Sequence, residues 1–188
     1  MPRVTASLVL YNWNALRDSC QRERVVKMKA GREFAGYLIG FVLFVVLVPA
    51  IMWFASGYVE FSMVRTVIFV VLAIIGLGLS IWSIVYMRNV GKGNPMDAFN
   101  HEVAPRTSEL MTEGPYAICR NPMLLGVIVY YLGFVILFWS AGAVIVFVIY
   151  VLIMSFQVFS EEKRLEKDFG EEYARYKQKT KRIIPFIW

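Results

Sequence analysis

Gly114-Pro115-Tyr116 and Arg120-Asn121-Pro122 stand at one end of an uncharged run, and Glu161-Glu162 stands at the other. Brought together, an arginine, an amide, a phenol and a pair of carboxylates are the makings of a site. The run between them, Asn121 to Ser160, contains no Asp, Glu, Lys or Arg. A transmembrane helix takes about 20 apolar residues, and Trp139-Ser140-Ala141-Gly142-Ala143 interrupts the run near its middle. The run therefore reads as two helices joined by a tight turn, a hairpin that returns both polar brackets to one water boundary.

The same residues have plainer readings. Two acids at the start of a charged helix complement its dipole in a solvated first turn, and an arginine at the mouth of a span snorkels to the interface. Placed opposite Arg120 and Tyr116, however, Glu161 and Glu162 favour a site. His101 is most simply a solvated loop residue, and Lys92 could meet headgroups or a ligand. Tyr130, Tyr131, Phe134, Phe138 and Trp139 read as packing and interface residues. With one histidine, no Cys-x-x-Cys, and Cys20 and Cys119 both on the side where thiols stay reduced, neither a zinc site nor a disulfide is expected, and no metal is assigned.

The elements that must position these groups follow from composition. Hydrophobic residues make up 58% of the chain and mean hydropathy is +0.55, above the range of a soluble domain. Uncharged runs over residues 34–55 and 66–87 add two spans to 121–139 and 142–159. Continuous apolar runs without alternation exclude a membrane barrel. The expected fold is all-α, a polytopic membrane protein with four transmembrane helices, a C-terminal helical hairpin and a cytoplasmic C-terminal helix, forming a single domain over 1–188. Of the 20 Lys and Arg, only Arg65 falls in the 56–65 connection, so the positive-inside rule puts both termini in the cytoplasm. The net charge of +6 then faces anionic headgroups of the lipid bilayer, and no nucleic-acid partner is implied.

Residues 1–33 read as a basic juxtamembrane segment without a cleavable signal. Pro49 and Gly76-x-Gly78 lie inside spans, where packing explains them best. The 88–120 connection, with Gly91-Lys92-Gly93-Asn94-Pro95, has a length often associated with function. From residue 160 to 188 the pattern becomes a charged tail helix carrying Phe159, Leu165, Phe169, Tyr173 and Tyr176 at helical spacing and stopped by Pro185.

Gly114-Pro115-Tyr116-Ala117-Ile118-Cys119-Arg120-Asn121-Pro122-Met123-Leu124-Leu125-Gly126, then Glu161-Glu162-x-x-Leu165 and Phe169-Gly170-x-x-Tyr173-x-x-Tyr176, resembles the C-terminal half of the isoprenylcysteine carboxyl methyltransferase and phospholipid methyltransferase superfamily. The similarity covers roughly residues 86 to 186. It implies S-adenosylmethionine as cofactor, held by Ser108, Glu109, Leu110, Met111, Tyr116, Asn121, Pro122, Met123, Leu124 and Glu161, with Arg120 and Glu162 as the catalytic pair. It also implies methyl transfer to a lipophilic acceptor at the cytoplasmic membrane face. Three positions depart from the pattern. Asn121 replaces a histidine and cannot titrate near neutrality, Leu124 replaces a tyrosine, and Gln157 stands where the isoprenylcysteine enzymes carry an arginine for the substrate carboxylate.

Two other readings stay open. Sterol-reductase-like membrane proteins share a similar C-terminal region and use a nicotinamide cofactor, although this chain has no Gly-x-Gly-x-x-Gly fingerprint. A non-catalytic four-helix membrane scaffold would also fit. The membrane would be the plasma membrane in a prokaryote and the endoplasmic reticulum in a eukaryote.

Overall fold

The computed structural model describes residue 36 and residues 38–91 and 109–184. By internal contacts the chain divides into residues 1–40 and 41–188. The architecture below belongs to the second unit; of the first, only the opening of one helix is described. The regular structure among the described residues is helical, with no strand among them.

Helix α1, Leu38–Ser56, opens the described chain. Its Val42–Leu47 segment is π-helical, and the Val48 N–H reaches back to the Leu43 carbonyl. Pro49 lies just beyond and has no N–H to offer the carbonyl four residues earlier, that of Val45. Two carbonyls thus lose their usual helical partners, and tyrosines of another helix supply replacements. Tyr131 donates its hydroxyl to Phe44 O at 2.6 Å, and Tyr130 donates to Val45 O at 3.1 Å. In an apolar setting such replacement is what makes a proline-disturbed helix tolerable.

Helix α2, Met63–Asn89, follows a short connection. After residues 92–108, which include Lys92, His101 and Ser108, the chain is described again from Glu109. It forms a short 3₁₀ turn over Gly114–Ala117 and enters α3, Pro122–Phe138, with Pro122 at the first helical position, where its missing N–H costs nothing. Trp139 in the left-handed conformation ends α3. Ser140 then caps α4, Ala141–Lys179, its hydroxyl accepting from Ala143 N at 3.1 Å. The interruption falls where the sequence placed it.

Among the described elements, α2 and α3 make the most extensive contact. A Cβ on Gly76 would lie 2.5 Å from the Gly126 carbonyl oxygen and 2.7 Å from Tyr130 N, so the two backbones approach as only glycine allows. Ser80 Oγ donates across the seam to Met123 O at 3.0 Å. A core of Met52, Leu124, Tyr131, Leu137, Phe138 and Tyr150 joins the helices, with Tyr131 edge-on to Tyr150.

Three helices, α1, α2 and α4, are long and apolar enough to cross a membrane; α3 is apolar but has 17 residues. Large apolar side chains cover their outer faces, among them Phe54 at 82% exposure and Phe156 at 75%. Apolar surface on this scale needs lipid around it. The protein is built as an integral membrane protein.

One boundary differs from the sequence expectation. No new helix starts at residue 160: α4 continues from its apolar part into its charged part, because nothing between Phe159 and Glu161 breaks a helix. The break comes at Gly170, whose φ of 53° and ψ of −124° lie outside the helical region. That conformation suits glycine and penalises residues with a Cβ. Beyond it, residues 171–179 form a second arm that ends at extended Thr180, and Pro185 lies outside the described residues.

Candidate functional site

The two brackets of the uncharged run meet. Arg120 donates from Nε and Nη2 to Glu162 Oε1 at 2.8 and 2.7 Å. Glu162 Oε2 accepts from Arg182 Nε and Nη2 at 2.9 and 2.7 Å. Both carboxylate oxygens are thereby occupied, and Glu162 is only 4% exposed. Arg120 Nη1 also donates to the Thr180 carbonyl and, at 3.4 Å, to that of Lys177. Backbone bonds extend the clamp: Arg120 N to Lys181 O at 2.8 Å, and Asn121 N to Arg182 O at 3.1 Å. Asn121 Nδ2 donates to the same Arg182 carbonyl at 3.2 Å. The guanidinium of Arg182 lies 4.1 Å from the centre of the Phe159 ring. The tail is thus fastened against the entrance to α3.

Electrostatics follow from this geometry. Burial opposes ionisation of Glu162, but the hydrogen bonds and charges of Arg182 and Arg120 outweigh it and hold the carboxyl below its ordinary value of 4.5. Glu162 is an anion with its lone pairs engaged, and Arg120 has its donors engaged. Both members of the pair expected to be catalytic hydrogen-bond to groups of the tail, Arg120 to the Thr180 and Lys177 carbonyls and Glu162 to Arg182.

Beside this clamp lies a cavity of about 160 Å³. Glu109, Glu161, Arg164 and Gln157 contribute polar groups, and Tyr116, Tyr173, Tyr176 and Phe169 contribute rings. The lining continues through Met87, Leu110, Met111, Leu124 and Val158 to Phe44 and Met154, residues of the apolar parts of α1 and α4. Arg120, Asn121, Pro122, Met123 and Glu162 also reach it. Every candidate site residue named from the sequence therefore lines one cavity, except Ser108, which lies outside the described residues. Glu161 stands 4.0 Å from Arg164, so a carboxylate and a guanidinium sit side by side in the wall.

Three tyrosines stand in the wall. Tyr176 donates its hydroxyl to the Tyr116 carbonyl at 2.6 Å. The hydroxyls of Tyr116 and Tyr173 are buried and have no hydrogen-bond partner among the described residues. Burial, with nearby carboxylates, raises both phenols well above their ordinary value of 10.0, so each remains a donor at neutral pH. Cys119, fully buried, is pushed up to about 11 chiefly by desolvation and remains a thiol.

Sequence reasoning missed Arg182, the second partner of Glu162, because its approach depends on the chain reversing at Gly170. Tyr173 and Tyr176 were visible as helical periodicity and as part of the Phe169-Gly170-x-x-Tyr173-x-x-Tyr176 motif, and their three-residue spacing put them on one face, but neither was named as a site residue.

The phospholipid methyltransferase family pattern matches residues 64–172, more than half of the chain. The chain belongs to the phospholipid methyltransferase family. It is also similar to a protein-S-isoprenylcysteine O-methyltransferase of Schizosaccharomyces pombe, 28% identical over 106 residues that make up 54% of this chain and 45% of that protein. Protein-S-isoprenylcysteine O-methyltransferase B of Arabidopsis thaliana is 29% identical over 94 residues, 48% of each chain. The match spans about half the length of these curated relatives. No solved structure matches the chain. The family-matched segment contains most of the cavity wall but ends before Tyr173, Tyr176 and the Arg182 clamp.

Proposed function

We propose that the protein is a methyltransferase that uses S-adenosylmethionine and acts on a lipophilic acceptor at the cytoplasmic face of a membrane. The observation that carries this reading is the cavity, whose lining combines acids, guanidiniums and phenols with apolar side chains that include Phe44 and Met154 from the apolar parts of α1 and α4. Its chemistry suits the cofactor. Glu161 and Glu109 would take the ammonium and ribose hydroxyls, Arg164 the carboxylate, and Tyr116 or Phe169 would lie against the adenine or the sulfonium. At about 160 Å³ the cavity is smaller than the roughly 300–1,000 Å³ of typical ligand pockets; a nucleoside cofactor would fill it and extend beyond it.

When bound, S-adenosylmethionine supplies an electrophilic methyl group on a sulfonium that leaves as a neutral thioether. The protein's part is positional: collinear placement of the reacting atoms and exclusion of water account for most of such a rate enhancement. Arg120 and Glu162 contribute by fixing the wall formed by the tail. Asn121 cannot act as a base, and Glu162 is held as a paired anion. Four spans, with the polar ends of α3 and α4 on the cytoplasmic side, complete the proposal and agree with the distribution of Lys and Arg.

Calorimetry on detergent-purified protein tests this. S-adenosylmethionine is expected to bind with a dissociation constant on the order of micromolar, at least tenfold weaker in Glu161→Ala, while a nicotinamide nucleotide gives no heat. A folded sample that binds only the nicotinamide nucleotide would instead indicate a reductase, and one that binds neither a scaffold.

A further inference from the structure

The hydroxyl of Tyr173 belongs to a side chain 1% exposed and that of Tyr116 to one 6% exposed. Both side chains line the cavity, and neither hydroxyl has a partner among the described residues. A buried polar atom in that condition is costly, and native proteins rarely leave one so. The neighbouring Tyr176 shows the ordinary outcome, with its hydroxyl on a backbone carbonyl at 2.6 Å. Tyr173 is otherwise well packed, its ring 6.1 Å from that of Tyr176. Phenylalanine would fill the same space, so packing does not account for the oxygen.

Accepting from these phenols requires an oxygen or a ring nitrogen. An ammonium has no lone pair, and the one left on a sulfonium sulfur is held by a positive charge, so neither serves as an acceptor. A nucleophile awaiting methylation would be made less reactive by such a bond, which argues against the acceptor's attacking atom as the partner. Resting on the methyltransferase reading above, in which Tyr116 already belongs to the donor site, we infer that Tyr173 is a further binding residue for the methyl donor, donating its hydroxyl to an acceptor atom of the donor's carboxylate, ribose or adenine. Tyr173 lies beyond the family-matched segment, so the inference adds a residue of the tail to the donor site.

Tyr173→Phe separates this role from a structural one, because the two roles have opposite signs. Removing an unpartnered buried hydroxyl leaves the thermal midpoint of the ligand-free protein unchanged or raises it. The same change weakens S-adenosylmethionine about three- to tenfold, the worth of one neutral hydrogen bond. S-adenosylhomocysteine, which keeps all the acceptor atoms, weakens by the same factor. Tyr176→Phe, which removes a bond that is made, lowers the ligand-free midpoint by about 2 to 4 °C. Donor affinity within twofold of wild type in Tyr173→Phe would overturn the inference while leaving the methyltransferase reading intact. So would a ligand-free midpoint that falls as in Tyr176→Phe. Absence of donor binding by the folded wild-type protein would overturn both.

Discussion

Replacing Glu162 by alanine removes the one carboxylate that Arg120 and Arg182 share. The side chains of Glu162 and Arg120 are 6% and 8% exposed, that of Arg182 18%, so the variant leaves two guanidiniums facing each other in a largely dry site. Breaking a buried ion pair by deleting one partner costs about 3–5 kcal/mol. Some relief comes from the partial exposure of Arg182, and some added cost from the mutual repulsion of the two cations. The range of about 3–5 kcal/mol therefore stands, corresponding to a fall in melting temperature of roughly 6–20 °C for a chain of this size. Thermal unfolding in detergent, followed by circular dichroism, measures it. Arg182→Gln is the companion variant and should cost less, because Glu162 keeps Arg120. Acid dependence adds a signature. Since Glu162 is held below 4.5 in the folded protein, the unfolded chain binds the proton more readily, and stability rises with pH through that region. The contribution is complete above about pH 4.5 and is lost as pH falls through the depressed folded value. Glu162→Gln should lack that acid-dependent component. A midpoint for Glu162→Ala within about 2 °C of wild type would refute the argument.

Two further predictions concern the backbone. Gly170→Ala meets no atom within 4 Å, so any loss is conformational; a positive-φ alanine should cost about 1–3 kcal/mol, read from the thermal midpoint, and a neutral result would mean that Gly170 is not held in this conformation. Gly126→Ala places a methyl group against the Ser80 hydroxyl and the Gly76 carbonyl and should destabilise by about 1–3 kcal/mol through overpacking, visible as a smaller monodisperse fraction after mild heating in size-exclusion chromatography.

Much of this protein was legible in its sequence, for identifiable reasons. Apolar runs long enough to cross a bilayer mark helices because lipid offers the backbone no partners. Trp139-Ser140 announced the break between α3 and α4, and Gly76 lies at a close helix contact. Part of the cavity wall was also visible, since Tyr116, Arg120 to Leu124 and the two glutamates sit in short motifs whose convergence follows once the run between them turns back, whereas Glu109 to Met111 entered only through the family resemblance. Local pattern carries such information because it depends on which residues are neighbours along one helix or turn.

What the tertiary structure decided is how each of these groups is used. Glu162 and its neighbour Glu161 are indistinguishable as letters and both reach the cavity, yet Glu162 is clamped between two guanidiniums whereas Glu161 stands beside Arg164. The difference arises from the reversal at Gly170, which returns Arg182 to a carboxylate 20 residues earlier. Tyr116, Tyr173 and Tyr176 likewise look alike in the sequence. Only the packing of the tail against the 3₁₀ turn gives Tyr176 a carbonyl and leaves the hydroxyls of Tyr116 and Tyr173 without a partner among the described residues. Hydrogen bonds and ion pairs are set at the scale of an ångström by chain segments far apart in sequence, and no spacing rule within one segment reaches that scale.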